Sequence, residues 1–167
     1  IDALTHAKHR APDDARLALD RPWPALWSRL PSNLRRDLPR KQRQLERRGA
    51  LELVTLRTPG PVLDATLDAC FELETRGWKG EHGSPIQRDP RTLLFYRELA
   101  RELAEAGRFA LYLLYCGGQL AAFEYCLRGG GHIEMLKLSF APELAAQSPG
   151  HVLRVLLLQE ELARGDL

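Results

Sequence analysis

The residues with the clearest chemical potential are Gln147-Ser148-Pro149-Gly150-His151 and the leucine-rich run that follows them. Ser148 is of the type that caps a helix N-terminus, Pro149 suits the first helical position, and Gly150 allows close approach to the backbone. From about Pro149 to Ala163 the predicted helix carries Val152, Leu153, Val155, Leu156, Leu157, Leu158 and Leu162, apolar over most of its circumference. Such a helix is buried, so its start is fixed and can offer N–H groups and a positive dipole end to a phosphate or pyrophosphate. An ordinary capped helix start uses the same residues. His151 and Arg154 fall in the first turns, where Arg154 could add charge.

A second group is suited to proton transfer. If Gly129-Gly130-Gly131 forms a three-residue loop, Arg128 lies opposite His132, Cys126 opposite Glu134 and Glu124 opposite Leu136. Glu124, Glu134 and His132 then share one face, where neighbouring, partly buried carboxylates raise one another's pKa toward that of a working base. A solvated face with ordinary carboxylates is the alternative, and a one-residue change in the turn would separate the three. The third group is Trp78, Lys79 and His82, in a stretch from Trp78 to Ile86 too long for a simple connector. Trp78 and Lys79 could line a substrate pocket and His82 could serve it as a base; a lid over the core and a surface histidine fit equally.

Several elements must position these groups. Arg16–Leu19 reads as a short strand, and Pro22-Trp23-Pro24 opens a short helix carrying Trp23, Leu26, Trp27 and Leu30. Leu34–Arg48 is a helix with seven cations (Arg35, Arg36, Arg40, Lys41, Arg43, Arg47, Arg48) against Asp37 and Glu46, and Pro39 should kink or split it. Leu51–Leu56 alternates as a strand. Helices follow after Pro61, with Val62, Leu63, Leu67, Cys70, Phe71 and Leu73 at helical spacing, and over Pro90–Ala106, with Leu93, Tyr96, Leu99, Ala100, Leu103 and Ala104 in one stripe. Phe109–Tyr115 is continuously apolar, as in a strand covered on both faces. Gly117-Gly118 turns the chain into Leu120–Leu127, placing Cys116 opposite Gln119 and Cys126 opposite Phe109; the three glycines turn it again into His132–Ser139. The pattern predicts an α+β layered domain over residues 16–167, helices packed on both faces of a mostly antiparallel sheet, preceded by an aperiodic arm at 1–15.

Composition narrows the class. At 167 residues the chain can bury a substantial core, and its 24 basic and 22 acidic residues nearly cancel, so no overall field calls for nucleic acid or an anionic membrane. No apolar run reaches a membrane span. The three cysteines show neither disulfide nor zinc spacing, and His6 and His9 lack further ligands, so no metal is expected and a reducing, cytoplasmic setting is. The chain starts at Ile1 and stops at Leu167 directly after a helix, which reads as a piece of something longer.

Order and separation then carry a likeness. The basic segment Ser32–Lys41, the Gly77-Trp78-Lys79-Gly80 stretch with Gly83-Ser84, and Ser148-Pro149-Gly150 heading a leucine-rich helix resemble the GNAT superfamily of acyltransferases. Within it the sequence more closely resembles the CelD-like or BioF2-like acetyltransferase branch, related to the FemAB peptidyltransferases. The resemblance implies transfer of an acetyl or other acyl group from acyl-CoA to an amine or other nucleophile, in polysaccharide or cell-envelope metabolism. It implies a pantetheine arm beside His132–Ser139 and a pyrophosphate on Gln147, Ser148, Pro149, Gly150, His151 and Val152. Pro149 removes one donor there. The superfamily adds a further strand after this helix, so the segment alone is expected to be weakly active, with that strand supplied by unseen sequence or by another copy. The basic helix could hold an anionic acceptor or, as in FemAB-type enzymes, aminoacyl-tRNA; a solvated amphipathic helix with Leu34, Leu38 and Leu45 inward explains it as well, as base-stacking aromatics are missing. A non-catalytic half that supports a partner domain is the third reading.

Overall fold

The structure, a computed structural model, describes residues 17–77 and 86–165. In chain order these form α1 (Trp23–Arg29), α2 (Ser32–Glu46), β1 (Leu51–Leu56), α3 (Pro61–Arg76), a 3-10 turn at Ile86–Arg88 and α4 (Pro90–Glu105). They continue with β2 (Phe109–Cys116), β3 (Gln119–Gly129), β4 (His132–Phe140), a 3-10 segment at Pro142–Gln147 and α5 (Pro149–Arg164). The four strands pair antiparallel in the order β1-β2-β3-β4, the α+β architecture expected from the pattern.

Alternation along the strands sends side chains to two separate cores. Phe109, Leu111, Leu113, Phe123 and Tyr125 meet Leu67, Cys70 and Phe71 of α3 and Ala100 and Ala104 of α4. Ala110, Tyr112, Leu114, Ala122 and Cys126 meet Leu45 of α2 and Val152, Leu153 and Leu157 of α5. Covered on both faces, β2 is apolar along its whole length, as its sequence predicts. The three cysteines are buried and unpaired with one another. Leu38 and Leu45 of α2 turn inward, but Leu34 lies at the surface, 36% exposed.

Both hairpins close on two glycines with positive φ: Gly117 (58°) and Gly118 (77°), then Gly130 (62°) and Gly131 (78°). That conformation matches the twist of the flanking strands, and glycine adopts it without a Cβ clash. The second loop is thus two residues long rather than the expected three, with Gly129 still paired to His132. Two bulges shift the register further. Leu114 pairs with Ala122 while Tyr115 pairs with Leu120, leaving Ala121 as the extra residue, so Cys126 stands opposite Ala110 and not Phe109. Cys126 pairs with Met135 while Tyr125 pairs with Lys137, which leaves Leu136 as the extra residue in β4.

Other expectations are corrected as well. Leu17–Leu19 forms no strand and pairs with neither edge of the sheet, and Arg16 lies outside the described residues. Pro39 does not split α2. The carbonyl it leaves without a donor belongs to Arg35, an exposed residue, so water can satisfy it.

Candidate functional site at the edge strand and the start of the last helix

β4 has β3 on one side and no strand on its other side among the described residues. An edge strand turns alternate N–H and C=O groups outward, and a bulge takes one more residue out of the ladder. Here the bulge falls at Met135-Leu136, which are 36% and 41% exposed. The strand then runs toward α5: a Cβ added to Gly150 would meet the Leu138 methyl carbons at 3.1 and 3.2 Å. Glycine at this position brings the start of α5 against the end of β4.

Ser148 holds that start in place by its backbone rather than by its side chain. It occupies the N-cap position with φ 52° and ψ 53°, the only non-glycine residue with positive φ among those described, and its hydroxyl makes no capping bond. Its carbonyl instead accepts from the N–H groups of His151 (3.0 Å) and Val152 (3.2 Å). Pro149 has no N–H, so Gly150 provides the one helix-start N–H without an acceptor among the described residues. The anion site anticipated there has fewer free donors than a regular helix start offers. Other polar groups stand close by. The Gln147 amide has a buried oxygen without a partner among the described residues, and an amide can present either its oxygen or its NH2. Lys41 of α2 donates to the Ala146 carbonyl, two residues before Ser148, which brings a cation to the start of α5. Gly150, Gln147 and Lys41 together make a set of donors that fits an anionic group.

The proton-transfer candidates divide between the two faces. Glu124 pairs with Leu138 and lies on the α5 side, fully buried. Both its oxygens are bound by Arg154, Nε at 2.7 Å and a terminal nitrogen at 3.0 Å, and this contact raises the guanidinium's affinity for its proton. Arg154 is therefore committed to Glu124 and does not supplement the anion site. Glu134 pairs with Leu127 and lies on the α3/α4 side with His132, both exposed and 3.3 Å apart. The expected common face of Glu124, Glu134 and His132 is not formed, because the shorter glycine turn puts Glu134 opposite a residue of the other face. The second ring nitrogen of His132 faces the Gly130 carbonyl at 3.2 Å, so a neutral ring can donate to only one of its two acceptors.

The α3/α4 side of β4 also meets a buried charge that the sequence reading missed. Glu74 of α3 is 1% exposed and accepts the Ile86 N–H at 3.0 Å, and its other oxygen lies 3.9 Å from the Lys137 ammonium. Lys137 in turn lies 5.2 Å from the centre of the Tyr96 ring. Glu134 and Lys137 thus flank the bulge on one face. Trp78, Lys79 and His82 lie outside the described residues; Gly77, just before them, sits beside Ser139 of β4, a Cβ there being 3.6 Å from its hydroxyl.

A bulged edge strand leading into the start of a buried helix is now joined by an independent finding: residues 32–167 match the model of the acetyltransferase (GNAT) domain family. The chain belongs to the GNAT family. No curated protein matches the chain. In this GNAT domain the α1 helix precedes the matched region and packs on the same side as α2 and α5. Among the described residues no helix is long and apolar enough to cross a membrane, and no group of three or more His, Cys, Asp or Glu residues is placed to hold a metal ion.

Proposed function

We propose that this GNAT domain transfers an acyl group from coenzyme A to an amine, with the donor lying along the outer edge of β4 and its diphosphate at the start of α5. The observation that carries the reading is the bulge at Leu136, on an open edge strand that ends against Gly150. When bound, acyl-coenzyme A would supply an activated thioester carbonyl, with the coenzyme A thiol as leaving group. Backbone groups freed at the bulge are suited to polarise it, and the Gly150 N–H, the Lys41 ammonium and the Gln147 amide are suited to hold the diphosphate. His151 and Val152 complete the helix start, with Ser148 and Pro149 fixing its direction.

Glu134 is the proton acceptor in this reading, because it is exposed, adjoins the bulge and has His132 hydrogen-bonded to it. Glu124 has both oxygens occupied by Arg154 and serves to hold α5 on the sheet. Lys137, fixed by Glu74 and Tyr96, adds a positive charge on the face from which the amine would approach. Trp78, Lys79 and His82 are assigned to acceptor binding on their residue types alone.

Calorimetric titration with acetyl-CoA tests the donor site, using a His151→Asp variant. His151 is exposed in the first turn of α5, where an acidic residue favours the helix dipole but repels a bound anion. Saturable binding by the native chain, weakened about tenfold in the variant at unchanged melting temperature, supports the reading. Equal binding by both proteins would remove the diphosphate from this helix start.

A second reading draws on the exposed arginines of α2 and the turn after it. Arg35, Arg36, Arg40, Arg43, Arg47 and Arg48 are all exposed, and Asp37 takes up two of them, Arg36 and Arg40. A FemAB-like transferase using aminoacyl-tRNA would engage such a row through phosphates. RNA binding whose logarithm falls steeply with that of salt concentration, and which is lost when Arg43, Arg47 and Arg48 are changed together to Gln, would favour it over coenzyme A.

A further inference from the structure

We propose that the cleft between α1, α2 and α5 seats the purine ring of the donor's nucleotide, an inference that rests on the coenzyme A reading above. The cleft has a volume of about 140 Å³ and is lined by Trp23, Trp27, Leu38, Gln42, Val155 and Gln159, among others. The two indoles stand with ring centres 5.4 Å apart at an interplanar angle of 40°. Both are half-buried, so they are neither sealed in the core nor free on the surface.

Three features point to a heteroaromatic ring. Indole faces bind planar bases by stacking, with little regard to base identity. Gln42 and Gln159 add side-chain amides, each offering a donor and an acceptor, the combination that pairs with the N6 and N7 edge of adenine. Gln42 spends one N–H on Glu46 at 3.1 Å and keeps its oxygen and its second N–H. The position of the cleft supplies the third feature. Val152, in the first turn of α5, is part of its wall, and Lys41, bound to Ala146 beside the start of α5, is adjacent in sequence to Gln42. A nucleotide whose diphosphate meets Gly150 and Lys41 therefore has this cleft within reach of its base. The amides select adenine over a purely apolar guest.

The test uses the full chain with Trp78→Phe, which leaves Trp23 and Trp27 as its only indoles. Coenzyme A, adenosine 3′,5′-bisphosphate and phosphopantetheine are titrated, with binding followed by calorimetry and by indole fluorescence. Saturable fluorescence change with the first two ligands and none with phosphopantetheine is expected. Trp27→Leu, and separately Gln159→Leu in case the first variant folds poorly, should weaken coenzyme A by at least about fivefold and leave phosphopantetheine unchanged. Calorimetric binding of coenzyme A without any indole response, or equal weakening of both ligands, would overturn the purine seat while leaving the donor strip intact. No calorimetric binding of coenzyme A at all would overturn the donor reading and the seat with it.

Discussion

The two ends of α5 solve opposite problems. At its C-terminal end the fully buried Glu161 accepts from the Tyr112 hydroxyl at 2.6 Å, from Arg128 at 2.9 Å and from Arg57. Arg57 also binds Glu160 at 3.0 Å, which in turn accepts from Thr55 at 2.8 Å. Burial first, and the Glu161 carboxylate second, push the Tyr112 phenol far above its ordinary pKa, so it remains a donor to Glu161. At its N-terminal end, among the described residues, Gly150 has an N–H without an acceptor, Gln147 a buried amide oxygen without a partner, and Lys41 a carbonyl as its one hydrogen-bond partner. A dense cluster of charges is easily taken for an active site. Here the Glu160 and Glu161 carboxylates are taken up by neighbouring donors, with the Arg57 Nε the cluster's own loose end among the described residues, while the sparse end keeps its spare hydrogen-bonding capacity at the helix start itself.

That contrast can be broken by experiment. The largest effect should come from Glu161→Gln, which removes the carboxylate charge shared by Arg128 and Arg57, the latter keeping Glu160, and should cost about 3 kcal/mol in denaturant unfolding. Acetyl-CoA affinity should stay within about twofold; a parallel fall in affinity would mean that the closed end belongs to the site. Next is Arg154→Met, which removes the two hydrogen bonds that Arg154 gives the buried Glu124 carboxylate. A loss of about 2 kcal/mol is expected, since the remaining Arg154 exposure lets water reach its partner. His151→Asp should do the reverse of both: about 1.4 kcal/mol of donor affinity lost and no stability. Thermal melts run beside the titrations separate the two outcomes.

The smallest effect sets a baseline shared by both ends. Burial raises the Cys70 and Cys126 thiol pKa values, so on unfolding these thiols return to an ordinary pKa of about 8.5 and release protons as pH rises. Stability contributed below that value is lost above it, and between pH 7.5 and 8.5 the two together should cost a little under about 1 kcal/mol. A Cys70→Ala, Cys126→Ala double variant should flatten this slope in urea unfolding measured at the two pH values.

Much of this arrangement can be read from residue order. The meander, its glycine turns and the apolar last helix follow from period and turn chemistry, which act over a few residues. The bulges at Ala121 and Leu136 do not, because adding one residue to a strand leaves its composition unchanged and depends on how the sheet bends over its helices. Each bulge shifts the register, and the second glycine turn, two residues rather than three, moved Glu134 to the face away from Glu124. Glu74 and Glu161 were overlooked for a different reason. Each continues an apolar stripe, Leu67-Phe71-Glu74 and Leu153-Leu157-Glu161, so a carboxylate at an inward helical position was the available signal. The partners that make such burial tolerable come from distant parts of the chain.

The closed end of α5 also bears on how long the folded state lasts. Arg57 and Glu161 are 104 positions apart, Tyr112 and Glu161 49, and Arg128 and Glu161 33. Contacts across such separations pay their loop-closure entropy late, after the local hairpins have formed. Interactions made after the folding barrier slow unfolding without hastening folding. The Glu161 cluster therefore works as a clasp on the lifetime of the domain, holding β1, β2, β3 and α5 together against transient opening.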